Sequence, residues 1–92
     1  MIISWKHKGL KTFWDTGSTA GIQAKHAQKL KFILQQLNAA IAAEDLNLPG
    51  LGFHKLKGDL LGYYSVTVNG NWRVIYQFEE KNAILVNYLD YH

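Results

Sequence analysis

The printed sequence ends with Asp90-Tyr91-His92, an acid, a phenol and an imidazole that directly follow an apolar segment with the pattern of a β-strand. Because side chains alternate in a strand, Asp90 and His92 are expected to point to one side and Tyr91 to the other. A carboxylate beside an imidazole can fix its tautomer and raise its pKa. A general acid or base that works near neutral pH needs those properties, so we predict a catalytic role for this segment.

Arg73 is a second residue whose type and position suggest chemistry. It is the only arginine of the chain, and it lies within a predicted central strand, where a guanidinium needs a partner. The sequence leaves two roles open for it. One is a structural ion pair with Asp59 or Asp90, and the other is bidentate binding of a phosphate.

Hydrophobic periodicity and turn residues predict the elements that must position these groups. The predicted elements are a strand over residues 1–5, a helix that ends at Gly17, a helix over residues 24–42, a loop over residues 45–52, and strands over residues 53–56, 63–68, 72–78 and 83–89. Asn69-Gly70 indicates a tight hairpin, because both residues accept positive φ. The order predicts one α+β domain over residues 1–92, with a short N-terminal strand, two helices, and then an antiparallel meander. The helices are expected to cover one sheet face and to leave the other free for a ligand.

Composition narrows the class of partner. Ten Lys and Arg against seven Asp and Glu give a net charge of +3 and a pI near 9.2, which favours an anionic partner such as nucleic acid or an acidic protein. The absence of cysteine excludes disulfides and thiolate metal sites. No apolar run reaches the length of a signal sequence or a membrane span, so we expect the protein to stay where it is made and away from membranes.

Three residues of the helical half have other predicted roles. Phe32 lies among polar neighbours on the predicted helix and is expected to be exposed as a partner contact. His26 lies at the edge of the apolar stripe and is expected to be half-buried, and neither it nor His7 is expected to be catalytic.

The order and spacing of five segments resemble the HigB-type toxins of bacterial type II toxin-antitoxin pairs, within the RelE-like superfamily. The segments are residues 6–10, 54–59, 63–66, 69–73 and 90–92. The resemblance covers the whole chain. It implies a RelE-like fold and a cytoplasmic endoribonuclease that cuts mRNA in the ribosomal A site, works without a cofactor, and is silenced by a cognate helix-turn-helix antitoxin.

The resemblance also implies roles for individual residues. His54 and His92, with Asp90, are acid and base candidates, Lys57 and Arg73 are a phosphate clamp, and Tyr91 positions the substrate or stacks on a base. Which group is the base stays open. The lysines that could contact ribosomal RNA, as a supporting patch only, are Lys6, Lys8, Lys25 and Lys29.

Each role has a simpler alternative. His54 could be an ordinary strand histidine and Lys57 a solvated turn lysine, while Tyr64, Trp72 and Tyr76 are expected in the core. A metal site built from two imidazoles and a carboxylate is disfavoured, because no closely spaced ligand pair occurs on a helix or loop. A noncatalytic toxin of the same fold, acting as a topoisomerase inhibitor or a DNA-binding regulator, is the competing function.

Overall fold

The computed structural model describes residues 1–91, in which two helices pack on a four-stranded antiparallel sheet. The α-helices are α1 (Lys8–Thr16) and α2 (Ala27–Ala39), and the strands are β1 (His54–Lys55), β2 (Tyr64–Asn69), β3 (Trp72–Glu79) and β4 (Asn82–Asp90). The strand order in the sheet is β1-β2-β3-β4. Short 3₁₀ helices cover Ala24–His26, Ala43–Leu46 and Gly58–Leu60. The α+β architecture predicted from the sequence is confirmed.

Helix α1 ends where the sequence predicts. Its first turn is capped by His7, whose Nδ1 accepts the backbone N–H of Leu10 at 2.9 Å. It ends at Gly17, whose φ of +82° places it in the left-handed region and whose N–H donates to the Phe13 carbonyl at 2.8 Å. Leu10 and Phe13 are buried on its inner face.

Helix α2 is shorter than the predicted helix over residues 24–42. It ends at Ala39, and Ile41, which lies within the predicted helix, is 66% exposed. The cause is Asp45, whose carboxylate accepts the backbone N–H groups of Ile41 at 2.9 Å and Ala42 at 3.2 Å. These hydrogen bonds hold the chain in a turn and compete with helical ones.

The core lies between the helices and one face of the sheet. Its helical side consists of Leu10, Leu30, Ile33, Leu34 and Leu37, and its sheet side of Val66, Val74, Tyr76, Val86 and Tyr88. Tyr76 is fully buried, and its hydroxyl donates to the Ala43 carbonyl at 3.0 Å. As predicted, Tyr64 and Trp72 pack against this core, although both stay partly exposed.

The N-terminal segment does not form the predicted strand over residues 1–5. It runs beside β4 and makes only two isolated parallel bridges, from Ile2 to Ala83 and from Trp5 to Val86. Leu85 interrupts the regular ladder here with a φ of +54°, and its N–H donates to the Ser4 hydroxyl at 2.8 Å. Within residues 1–91 no helix is both long and apolar enough to cross a membrane.

Candidate active site

An open cavity of about 350 Å³ lies at the sheet face away from the helices. It is lined by His54, Lys55, Leu56, Lys57, Ser65, Arg73 and Tyr91. Three cations, an imidazole and a phenol therefore share one cavity, and within residues 1–91 none of the lining residues carries a carboxylate. This set of groups suits an anionic ligand with hydroxyl groups.

The first wall of the cavity comes from β1 and the residues after it. His54 lies directly opposite Ser65 across the β1–β2 pair. The chain then turns back, because the Leu56 N–H donates to the Tyr63 carbonyl at 2.9 Å. Lys57 lies at the start of this turn and is exposed. The turn thus places the imidazole of His54 and the ammonium group of Lys57 at one cavity.

Arg73, on the central strand β3, lines another side of the cavity. It lies opposite Thr67 of β2 and Leu89 of β4. Its Nη1 donates to the backbone carbonyls of Gly70 at 2.5 Å and Trp72 at 3.2 Å. No acidic side chain within residues 1–91 forms an ion pair with Arg73. The structural ion pair considered from the sequence is therefore not found in this part of the chain.

Tyr91 closes the cavity at the end of β4. Its backbone N–H donates to the Asn71 carbonyl at 2.7 Å, so the residue is tied to the β2–β3 hairpin although it lies beyond the last strand. The side chain is 39% exposed. An exposed phenol at a cationic cavity can form a hydrogen bond with a ligand or stack on a base.

Asp90 lies apart from this set. Its register partner is Trp72, whose ring packs with Tyr88 on the helix-covered face. Directly opposite residues of an antiparallel pair project to the same side of a sheet, so Asp90 and Arg73 project to opposite sides. Asp90 and Arg73 do not share a face, because β4 reaches its end with Leu89 opposite Arg73. His92 lies outside the described residues.

The two histidines of the helical half are placed elsewhere. His7 caps α1, and burial lowers the pKa of its imidazole. His26 is only 2% exposed, which corrects the expectation of a half-buried residue. Its Nδ1 lies 2.7 Å from the Tyr88 hydroxyl, while Nε2 is buried without a hydrogen-bond partner in the described chain. Burial, and to a lesser degree the charge of Lys25, lowers the pKa of His26.

Sequence reasoning gave no role to three residues that line the cavity, Lys55, Leu56 and Ser65. Ser65 is 4% exposed and is the buried polar residue of β2. Its polarity within a strand whose neighbour Val66 is fully buried is the signal that could have identified it. Lys55 offers no comparable signal, because exposed lysines are common in short edge strands.

The remaining features do not add to this site. The lysines named as a possible ribosome contact (Lys6, Lys8, Lys25 and Lys29) are not among the residues that line the cavity. Within residues 1–91 no group of three or more metal-ligating side chains lies close enough to hold a metal ion. A cavity of about 370 Å³ occurs between α1 and Lys31 of α2, but its lining residues include no imidazole.

The chain is similar to known toxins along its whole length. The protein named endoribonuclease HigB from Proteus vulgaris is 42% identical to this chain over 92 residues, and the alignment covers 100% of both proteins. Toxin HigB-1 from Vibrio cholerae serotype O1 is 34% identical over 94 aligned positions that span this chain and 98% of the relative.

Solved structures show the same fold at lower identity. A chain of a heterotetrameric YoeB-YefM toxin-antitoxin complex from Staphylococcus aureus has a TM-score of 0.61 at 22% identity, with 100% of this chain and 98% of the other covered. A YoeB dimer from the same organism has a TM-score of 0.59 at 23% identity, with 100% and 97% covered. A family model described as the RelE-like toxin HigB of type II toxin-antitoxin systems matches residues 3–92. The chain belongs to this HigB-like family of RelE-like toxins.

Proposed function

We propose that this toxin is a metal-independent endoribonuclease that inhibits translation by cutting mRNA in the ribosomal A site. The observation that carries the proposal is the single cavity that joins His54, Lys57, Arg73 and Tyr91. The relative from Proteus vulgaris, which is named an endoribonuclease, supports the same reaction class.

RNA carries its own nucleophile, so a metal ion or an activated water is not required. The 2′-hydroxyl loses its proton to a base and attacks the adjacent phosphorus atom, while the bond from phosphorus to the 5′ oxygen breaks. That oxygen takes a proton from an acid, which leaves a 2′,3′-cyclic phosphate and a 5′-hydroxyl. Cations at the phosphate stabilise the charge that develops in the transition state.

The cavity residues suit these steps. We assign the phosphate to Arg73 and Lys57, because a guanidinium fork and an ammonium group are both strong donors to phosphate oxygens. His54 takes part in proton transfer, and Tyr91 positions or stacks the substrate. His92, with Asp90 beside it in the sequence, stays the second acid or base candidate on the sequence argument alone.

Ribosome dependence is supported by the charge of the helical half. Residues 1–43 contain six lysines and one acidic residue, whereas residues 44–92 contain four Lys and Arg against six Asp and Glu. Lys6, Lys8 and Lys25 are exposed and Lys29 is partly exposed, so they can approach RNA phosphates. We propose that this surface holds the toxin on the ribosome, in the cytoplasm, while the cavity reaches the message.

An antitoxin partner follows from membership of a toxin-antitoxin family. We propose further that the partner is a helix-turn-helix protein that contacts Phe32. The ring of Phe32 is 44% exposed on α2, and a large exposed aromatic side chain is typical of a partner surface.

The test is a purified translation system with a defined message, in which the 5′ ends of the products are mapped. Wild-type toxin should give new 5′ ends only when the message is translated. His54→Gln and His92→Gln should each lower the cleavage rate by roughly a hundredfold or more, the usual contribution of a proton-transfer group. The matched control is His7→Asn, which removes an imidazole outside the cavity and keeps an N-cap side chain.

Two outcomes would overturn the proposal. Full cleavage by both His54→Gln and His92→Gln would exclude imidazole catalysis. Stalled translation without new 5′ ends would favour the noncatalytic alternative, in which the same fold acts by binding alone.

A further inference from the structure

The orientation of the His54 ring is set by a backbone carbonyl. Its Nδ1 lies 2.6 Å from the carbonyl oxygen of Gly52, two residues earlier. A carbonyl oxygen only accepts hydrogen bonds, so Nδ1 must carry the hydrogen. In the neutral ring, Nε2 then has the free lone pair.

The chain on both sides of Gly52 is tied to β2, because His54 pairs with Ser65 and Leu51 is bonded to Thr67. The preceding residue, Leu51, is 1% exposed, and its carbonyl accepts the Thr67 N–H at 2.7 Å. Gly52 has a φ of +56°, a conformation that L side chains rarely adopt. A Cβ atom added there would lie 3.0 Å from the Thr67 Oγ1. The positive φ of Gly52 and its close approach to Thr67 together favour glycine at this position.

This support matters because β1 alone would hold His54 weakly. The strand is two residues long, lies at the edge of the sheet, and His54 is exposed. An exposed side chain on such an element exchanges between rotamers, and the orientation of a proton acceptor governs how well it works.

We infer that Gly52 is a positioning residue that makes Nε2 of His54 the acceptor of the 2′-hydroxyl proton. This inference rests on the proposed function and deepens it, since the sequence leaves the choice of base open. When Nε2 takes the proton, the ring becomes a cation whose Nδ1–H still donates to the Gly52 carbonyl. The arrangement resembles that of hydrolases in which a carboxylate holds the tautomer of a histidine and stabilises its protonated form.

The acid step must then come from another residue. At the start of the reaction Nε2 of His54 carries no hydrogen, so this ring has no proton to give to the leaving 5′ oxygen. Before the 2′-hydroxyl attacks, a different group must hold that proton, and it passes to the 5′ oxygen as the bond to phosphorus breaks.

The tautomer can be measured without RNA. Two-bond ¹H–¹⁵N correlation spectra of the full-length ¹⁵N-labelled toxin report which ring nitrogen carries hydrogen, and loss of one ring pattern in His54→Gln assigns the residue. We expect His54 to show hydrogen on Nδ1 in its neutral form. A neutral ring with hydrogen mainly on Nε2 would overturn the inference and leave the proposed ribonuclease function intact.

A second test displaces the carbonyl. Gly52→Ala brings a methyl group against Thr67, whereas the matched control Gly50→Ala has a φ of +86° and no atom within 4 Å of its added Cβ. Both variants place an alanine at a positive φ, which destabilises the folded protein, but only Gly52→Ala should move the Gly52 carbonyl away from His54. We expect kcat to fall roughly tenfold to a hundredfold in Gly52→Ala with KM nearly unchanged, because orientation of the base is impaired rather than substrate binding.

Rescue separates positioning from a general loss of structure. Thr67→Ala removes the Oγ1 contact, so the Gly52→Ala/Thr67→Ala double variant should regain much of the lost kcat and the Nδ1–H tautomer. Equal effects of Gly52→Ala and Gly50→Ala, or a loss seen only in KM, would contradict the role of Gly52. Full cleavage by His54→Gln would instead exclude the proposed function, whatever the tautomer.

Discussion

Arg73 lies directly opposite Thr67 across the β2–β3 pair, so its guanidinium projects from the sheet face that the helices leave uncovered. Within residues 1–91 only Nη1 of this group is used, in hydrogen bonds to the Gly70 and Trp72 carbonyls. Arg73 lines the cavity, and its other guanidinium nitrogen atoms make no hydrogen bond within this part of the chain. A phosphate would provide one.

Replacement of Arg73 by Lys tests this arrangement. The ammonium group keeps the charge and loses the planar fork, so we expect kcat to fall roughly a hundredfold, comparable with the loss of one transition-state donor. The free energy of unfolding in urea should change little, because no buried ion pair is broken. Lys81→Asn, which changes a cation in the β3–β4 turn, is the matched control. Wild-type cleavage by Arg73→Lys would exclude bidentate phosphate binding.

Local sequence patterns were sufficient to predict most of the helices and strands. The Gly17 stop depends on neighbouring residues, and the structure has it. The hairpin predicted at Asn69-Gly70 also forms, but it is shifted by one residue: Asn69 ends β2, the turn residues are Gly70 and Asn71, and of the predicted pair only Gly70 has a positive φ. The end of α2 was missed because the cause, Asp45, lies beyond the periodic segment and binds two backbone N–H groups. Propensity alone does not report such competition.

The sheet face to which Asp90 projects could not be predicted from the residues around it. In β4 the buried residues Ala83 and Val86 are three positions apart, because Leu85 adopts a positive φ and the register shifts opposite Tyr76. A bulge of this kind changes which side chains share a face. The convergence of His54, Lys57, Arg73 and Tyr91 was predicted through the family resemblance, since their sequence separation exceeds any local rule.

Replacement of Phe32 by Ser should weaken the complex between the toxin and its antitoxin. The ring is 44% exposed in the toxin, so its removal should cost little folding free energy but should lose buried apolar area in the complex. We expect Kd to rise by at least tenfold in titration calorimetry, with cleavage by the free toxin unchanged. Leu61→Ser removes a 76% exposed apolar side chain from another element and is the control. Unchanged affinity in Phe32→Ser would place the interface elsewhere.

The Tyr88 hydroxyl supports the buried end of the sheet. It lies 2.7 Å from His26 Nδ1 and accepts the Gln23 N–H at 3.4 Å. Tyr88→Phe leaves both groups without this partner, beside an Nε2 that already lacks one within residues 1–91. We expect a loss of about 1–3 kcal/mol in the free energy of unfolding, measured in urea. Tyr91→Phe, at an exposed position, should change it by much less, and an equal loss in the two variants would contradict this account.

His26 should make the stability of the toxin depend on pH in the acid range. Burial first, and the charge of Lys25 second, hold the pKa of its imidazole below 6.5, the usual value for histidine. As the pH falls through 6.5, His26 becomes protonated in the unfolded chain but stays neutral in the folded chain. The free energy of unfolding therefore decreases, and it levels off below the pKa of His26 in the folded protein. Above pH 6.5 the imidazole is neutral in both states, so burial of His26 causes no loss of stability there.

The measurement compares urea unfolding at pH 8, 7, 6 and 5 in the wild type and His26→Gln. Burial also lowers the pKa of His7, so both proteins should lose stability toward low pH, and the wild type should lose more. A ¹⁵N titration of the wild-type His26 ring provides the same information if the variant does not fold, since the ring should still be mainly neutral at pH 6.5. Parallel stability curves for the two proteins, or a ring already mainly charged at that pH, would show that the buried imidazole is not what makes the fold sensitive to acid.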